Sequence, residues 1–432
     1  SNSITMVIPE KIATYLEKRS SKIWNIERDH SKFFQKIIVV PSIAETDNLP
    51  ALIKSLEKND KLELHNTLLL IVVNNAVSSS NEVKEDNNKT LKYLKKLKTK
   101  LNLSFINACS PGKEMDDKNA GVGLARKIGM DLALTKFDYL SLNKNIMICT
   151  DADCVVDSNY LNEISDDFNR NNYEAATVNF AHNISGNDEE TKAIICYEIF
   201  LRYYVLGLSF AKSEYAFHTI GSTMVCTPEA YVKIEGMNKY KAAEDFYFLE
   251  KLAKIYPIGE IKTTFVHPSK RASWRVPFGT GRSVGRYLSN KRNEYQLFDP
   301  KSFIILKSWL EIYFDQSLTD QESLIKISKN IHPALYLFLN EQGFEKFIHR
   351  VLLNNKNAIE IDKQKHYWFD AFRTLKLIHY LRDIVNPNLN MFDAIDELLK
   401  LMNIENNILR NSAIPDLKIQ KEYLQLLRKI QS

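Results

Sequence analysis

The stretch Asn145-Ile146-Met147-Ile148-Cys149-Thr150-Asp151-Ala152-Asp153-Cys154-Val155-Val156 decides how the rest of the chain is read. Ile146 to Cys149 is an apolar run too short for an ordinary helix, so it reads as a buried strand. Asp151 and Asp153 follow it. In extended chain, residues two apart point to the same side, which aims both carboxylates at one place. Two hard oxygen ligands there suit Mg2+ or Mn2+, which in turn bridges phosphate oxygens. In open α/β sheets, ligands bind where strands end at their carboxyl termini. A solvated turn is the plain alternative for such a triplet, so the neighbouring segments have to decide.

Upstream, Lys36-Ile37-Ile38-Val39-Val40-Pro41 is apolar without alternation, as in a strand covered on both faces. The loop Ser42 to Glu45 follows, then Leu49, Leu52, Ile53 and Leu56 at helical spacing. Thr67 to Val73 is the second strand and closes on Asn74-Asn75. Strand, helix and strand in this order predict a parallel pair with a right-handed crossover. Asn81 to Asn102 reads as a solvated amphipathic helix, and Phe105-Ile106 as part of a third strand. Gly121 and Gly123 precede a helical run that carries Arg126. This is not a dinucleotide fingerprint, because the third glycine would fall at Arg126. Such a loop can still offer amides to phosphate, with Arg126 adding a fork of donors.

Downstream, Ala175 to Phe180 reads as a strand, and Thr191 to Lys212 as a long aromatic helix whose Tyr204 is a candidate for an acceptor cleft. His218 to Val225 reads as a strand containing a glycine, often a point of close approach. Glu244 and Asp245 open an apolar helix. They either favour its N-terminal dipole or supply a base. Lys262 to His267 is a further strand. The loop Pro268 to Arg282 then gathers Lys270, Arg271, Arg275 and Arg282 with Trp274 and two glycines, which suits a lid over a diphosphate. Pro9 to His30 reads as an opening helix. Beyond about Asp299 the alternation stops, and Phe303–Phe314, Ile325–Phe338, Phe344–Leu353, Tyr367–Val385 and Phe392–Met402 all read as helices.

Whole-chain composition narrows the function classes. With 432 residues and 44% hydrophobic content, the chain can bury a core in two or three units. A net charge of +5 is too small to point to nucleic acid and suits an anionic small substrate. The five cysteines form no C-x-x-C pair, which argues for reduced thiols and against structural zinc. No apolar run reaches about 18 residues and no signal peptide is visible, while Ser1-Asn2 reads as an expression scar. A cytoplasmic protein is expected, with peripheral contact at the inner face of a membrane left open.

In this order, the segments between about residues 36 and 285 resemble the family-2 glycosyltransferases of the A-type (nucleotide-diphospho-sugar transferase) fold. The resemblance rests on the Pro41/Glu45 loop, the strand ending at Asn74, Gly121 to Gly129 with Arg126, the Asp151/Asp153 triplet and the Glu244-Asp245 pair. It implies an α/β, Rossmann-like, mostly parallel twisted sheet flanked by helices at 36–298. A helical segment at 1–35 precedes it and an all-helical C-terminal domain at 299–432 follows. It implies metal-dependent transfer of a sugar from a nucleoside-diphosphate sugar to an acceptor hydroxyl, with Mn2+ or Mg2+ as cofactor.

On that resemblance Pro41, Ile43, Glu45, Asn74, Gly121, Arg126 and Asp151 hold the donor, with Arg271 and Arg275 over its diphosphate. Asp153 and Asp151 hold the metal, with His267 as a further ligand. Asp245 is the general base beside Glu244, and Trp274, Tyr204 and His218 are candidates for the acceptor side. Asn74 stands where the family commonly has an acidic residue. An amide can accept from uracil N3 and donate to a neighbouring carbonyl, whereas guanine's paired donors suit a carboxylate, so uridine is favoured. Three alternatives stay open: a sugar nucleotidyltransferase (though no glycine-rich loop follows the first strand), a binding protein of this fold without catalysis, and a retaining transferase. The acceptor is unnamed, and the C-terminal helices are candidates for acceptor shaping or a homodimer.

Overall fold

A computed structural model describes residues 7–270, 293–317, 320–354 and 357–432. The basic loop with Arg271, Trp274 and Arg275 therefore lies outside the described residues. The chain divides into two units. One takes in the described residues up to Asn183 and from Thr219 to Lys270, the other Ile184–His218 and the residues from 293 to 431.

The first unit is built on a nine-stranded sheet: β1 (Ile26–Glu27), β2 (Lys36–Ser42), β3 (Thr67–Asn74), β4 (Asn102–Ala108), β5 (Ile146–Cys149), β6 (Val155–Val156), β7 (Ala175–Phe180), β8 (Met224–Cys226) and β9 (Ile258–His267). Their order is β1-β4-β3-β2-β5-β8-β7-β9-β6. β4, β3, β2 and β5 run parallel, in register from Lys36↔Thr67 and Lys36↔Ile146. β8 is antiparallel to both β5 and β7. The α/β class with a mostly parallel central sheet is thus the one expected. Chain direction through the sheet reverses at β2, with β3 on one side and β5 on the other, and such a reversal opens a crevice at the strand ends. Both the Ser42–Glu45 loop and the acidic triplet leave from it.

Helices α1 (Glu10–Arg19), α2 (Leu49–Leu56), α3 (Lys61–His65), α4 (Asn81–Lys96), α5 (Val122–Ala133) and α6 (Tyr160–Asn171) flank these strands. α7 (Glu189–Phe210) lies in the other unit, and α8 (Pro228–Lys233) and α9 (Glu244–Ala253) return to the first. Every residue of β3 is buried, which explains its lack of alternation. Ile38, Val40, Leu69 and Ile71 pack with Leu52 and Ile53 of α2, Leu94 of α4 and Leu161 of α6. The opposite face, with Val39 and Val72, meets α5 at Gly129, where a Cβ would stand 2.4 Å from Val39 Cγ1 and 2.8 Å from Val72 Cγ2. Glycine lets this helix lie directly on the strands that carry the crevice.

The helix expected to run from Pro9 to His30 stops at Arg19, where Ser20 turns extended and Ile26 goes on to pair with Ile106. The strand expected at His218–Val225 is a 3-10 turn, Gly221–Thr223, followed by β8. The second unit is helical: α7, then Pro300–Tyr313, Gln321–Ile331, Pro333–Glu341, Phe344–Asn354, Ala358–Trp368, Ala371–Ile384, Met391–Leu401 and Leu417–Ile430. The single helix expected across Ile325–Phe338 is two, because Pro333 cannot donate to the preceding turn and restricts His332 to extended backbone. The boundary expected at 298/299 also changes, since residues 184–218 join the C-terminal helices.

α7 carries a buried ion pair in that unit. Arg202 Nε donates to Glu198 Oε1 at 2.7 Å, and Arg428 donates to both oxygens of Glu198 at 2.8 and 2.7 Å. Against the expectation that no segment reaches spanning length, α7 is long and apolar enough to cross a membrane, and 67% of its most apolar window is buried in the structure. Replacing Gly129 by Val should lower stability by about 1–3 kcal/mol through overpacking against Val39 and Val72. A shift in the urea unfolding midpoint measures this; an unchanged midpoint would contradict the close packing of α5.

Candidate functional site

At the β5 end the triplet does not continue as strand. Cys154 N–H donates to Asp151 O at 3.1 Å, closing a tight turn. The carboxylates therefore converge through a turn and not through strand alternation. One ligand atom from each of Asp151, Asp153 and the buried Cys154 lies within 4.8 Å of the others. Burial pushes the Cys154 thiol well up, with the Asp153 and Asp151 charges adding to it. The two carboxylates bring hard oxygens to this donor set. Hard oxygens of this kind fit Mg2+ or Mn2+.

Arg126, in the first turns of α5, is 2% exposed. Its Nη2 donates to Asp151 Oδ1 at 2.7 Å and its Nε to Glu244 Oε1 at 3.2 Å. Burial alone would pull the guanidinium down, but the Asp151 and Glu244 charges overcome this and keep it protonated. The expected fork toward a donor is thereby redirected: two of its nitrogens tie the triplet to the Glu244-Asp245 pair. A Cβ at Gly221 would stand 2.4 Å from Nη2, so this glycine is where the backbone admits the guanidinium.

The glycine loop also differs from expectation. A Cβ on Gly121 would meet Lys241 Cα at 2.8 Å, and one on Gly123 would meet Tyr240 O at 2.3 Å. These glycines admit the loop that leads into α9, which crosses the start of α5 where phosphate was expected. That loop ends at Ala243, whose φ of 58° is left-handed and sets the turn into Glu244. Glu244 is buried. Asp245 beside it is partly buried, with Oδ1 accepting from Phe246 N at 2.8 Å. Burial and the neighbouring Glu244 charge push the Asp245 carboxyl up to about 7. A carboxyl poised there can take a proton near neutral pH.

Across the crevice, Asn87 of α4 joins the loops after β2 and β3. Its Oδ1 accepts from Ala44 N at 2.9 Å, and its Nδ2 donates to Asn74 O and Asn75 Oδ1, each at 2.9 Å. Ala44 has a left-handed φ of 51°, so this bond holds a strained residue. Asn87 was missed because it sits in a polar run. Its spacing of four from Val83 and from Leu91 puts it on the apolar face, and that could have found it. Asn74 Nδ2 donates to Ser42 O at 3.2 Å and Val72 O at 3.0 Å. The side chain can therefore accept through Oδ1 but has no donor to offer a base carbonyl, which corrects half of the expected pairing. Glu45 Oε2 accepts from Asn48 Nδ2 at 2.6 Å and steadies the entry to α2. Pro41 pairs with Val72 as part of β2, while Ile43 stays partly exposed beyond it. The buried Ser42 Oγ, Thr150 Oγ1 and Arg126 Nη1 have no partner among the described residues. All three lie on segments that lead to this crevice, where a polar ligand or water can satisfy them.

The remaining expected residues fall elsewhere. Both ring nitrogens of His267 are engaged, Nδ1 with Ala181 O and Nε2 with Asp157 Oδ1, each at 2.8 Å. It is not among the three residues whose ligand atoms converge, so the expected ligand role has no open nitrogen to serve it. Tyr204 and His218 belong to the helical unit, where Tyr204 packs on Phe298 and Phe303 and His218 Nε2 meets Gln431 at 3.1 Å. Both side chains are partly buried, Tyr204 against the helical core and His218 against a polar side chain.

No family model and no curated protein matches the sequence. Solved structures similar to the chain include S. aureus TarS 1-349 in complex with UDP-GlcNAc, at 13% identity and a TM-score of 0.39, covering 81% of this chain and 91% of that one. Another is the mannosyltransferase PcManGT from Pyrobaculum calidifontis in complex with GDP-Man and Mn2+, at 12% identity and a TM-score of 0.36, covering 86% and 90%.

Arg126→Leu should destabilise the first unit by about 3–5 kcal/mol, because Glu244 would be left buried without its cation. Adding Glu244→Gln should restore part of that loss in urea unfolding. Strict additivity of the two changes would contradict the ion-pair account.

Proposed function

We propose that the chain is a metal-dependent glycosyltransferase, taking a sugar from a nucleoside-diphosphate sugar and passing it to an acceptor hydroxyl with inversion. The observation that carries this reading is the joining of the Asp151/Asp153 turn to Glu244, the residue beside Asp245, through one buried arginine, at the crevice where the chain reverses across the sheet. The sequence resemblance to family-2 glycosyltransferases agrees with it.

In this reading Asp151 and Asp153 hold the cation. When bound, that ion offsets the charge gathering on the leaving diphosphate. The β2 and β3 loops, tied by Asn87, receive the base. Asn74 Oδ1 has no partner among the described residues, and a single acceptor there matches the one N3–H of uracil, so a uridine donor is favoured over guanosine. Asp245 takes the proton from the acceptor hydroxyl as its oxygen attacks the anomeric carbon and the bond to the diphosphate breaks. Glu244 is occupied by Arg126 and keeps that arginine, and with it Asp151, in place. Arg271 and Arg275 remain candidates for the diphosphate side and Trp274 for the acceptor.

Calorimetry with UDP, GDP and their sugar conjugates, with Mn2+ and with chelator, tests the reading. Uridine-selective, metal-dependent binding that Asp153→Ala abolishes is the expected result. Folded protein that binds no nucleotide would overturn the transferase reading, and tighter GDP binding would overturn the choice of base. For the base, kcat should fall about tenfold per pH unit below about 7 and level off above it. Stability should move oppositely. The folded carboxyl holds its proton more tightly than an unfolded aspartate, so its contribution is fully present below about pH 4 and is lost as pH rises through about 7. Asp245→Asn should abolish turnover and remove both dependences; a variant that still titrates in this range would assign the proton transfer to another group.

A further inference from the structure

A second polar cluster lies on the other side of α5, apart from Arg126. Lys127 and Asp131 stand one turn apart and both are buried, 9% and 3% exposed. Asp131 Oδ1 accepts from the Tyr15 hydroxyl at 2.8 Å and the Tyr231 hydroxyl at 2.6 Å, while Oδ2 accepts from Lys127 Nζ at 2.7 Å. Lys127 Nζ also donates to the Tyr15 hydroxyl oxygen at 3.0 Å. The carboxylate is thus surrounded by three donors. Burial, and the charge of Asp131, push both phenols up, so they remain donors. The ammonium has three N–H groups and, among the described residues, uses two of them.

Beside this cluster is a cavity of about 200 Å³ lined by Trp24, Leu124, Ile128 and Leu132, with Lys127 and Asp131 in its wall. The lining is mainly apolar, and its size suits one ring-sized body. Arg19, Lys127 and Lys239 carry positive charge there, against Asp116 and Asp131, and Arg19 is held by Glu235 at 2.7 Å. Asp116 is engaged by Asn119, and Asp131 is saturated by Tyr15, Tyr231 and Lys127. What the wall still offers a ligand is therefore a donor carried on a cation, the third N–H of Lys127.

We propose that this cavity is a binding site for a small amphiphilic monoanion. The ligand places a ring or branched apolar body between Trp24 and the α5 leucines and sets a carboxylate against the third N–H of Lys127. A neutral ligand of the same shape would make the apolar contacts without the charge-assisted bond, and a cation would meet the ammonium. The site shares only its helix with the acidic crevice and does not depend on the transferase reading.

The test is fluorine NMR of the full chain with 4-fluorobenzoate as probe and 4-fluorobenzylamine as the charge-reversed control. The benzoate should bind with a Kd of about 1 mM or tighter. Binding should weaken at least about tenfold in Lys127→Met, from loss of the charge-assisted bond. Leu132→Trp, which fills the cavity and leaves the Lys127–Asp131 pair intact, should abolish it and decides the matter if the lysine variant does not fold. Absence of binding to the wild-type chain, unchanged binding to Leu132→Trp, or equal binding of the amine would each overturn the proposal.

Discussion

The candidate site depends on one buried cation. Asp151 and Glu244 come from segments 93 residues apart, and both direct a carboxylate oxygen at Arg126. Without a counter-charge the two carboxylates would repel one another, and the buried Glu244 would lose water without replacement. Arg126 resolves both costs, and Gly221 has no side chain because the guanidinium occupies that space. Removing water from around a charge makes each remaining bond more directional. The turn at Asp151 and the start of α9 are accordingly set relative to each other by a planar group and not by flexible chain.

The same logic shapes the other side of the crevice, with neutral groups. Asn87 serves both the β2 and β3 loops, and Ala44 and Ala243 hold left-handed backbone on opposite sides of the site. Strained residues of this kind persist where their surroundings over-determine them. Here the constraint on Ala44 is visible as a hydrogen bond from its own amide. A rigid receiving surface reduces the ordering cost of whatever binds.

Much of the fold could be read from local pattern. The unalternated runs at Lys36–Val40 and Thr67–Val73 announce strands buried on both faces, and the following leucine spacing announces a crossover helix. The site was legible by residue type but less so by role. Arg126 was visible as a cation near the triplet, yet its turn toward Asp151 and Glu244 depends on where α9 arrives, which no local pattern states. Gly121 and Gly123 read as a loop offering amides to phosphate, but the group that approaches them is the chain itself. His267 ends a strand as expected, and its ring is taken by Asp157 and Ala181, residues supplied by two other segments. The membership of α7 was hidden for a similar reason: an apolar helix does not say which core it will enter.

The sheet order carries a consequence for assembly. The crevice draws on segments near residues 44, 74, 87, 126, 151, 221 and 245, and the strands bearing them become neighbours only through long chain separations. Contacts of that kind form late, after most loop-closure entropy has been lost. No short fragment of this chain can hold a preformed version of the site. Whatever occupies it recognises the finished unit alone, so its binding free energy adds to the stability of the whole sheet and links occupancy to survival of the fold.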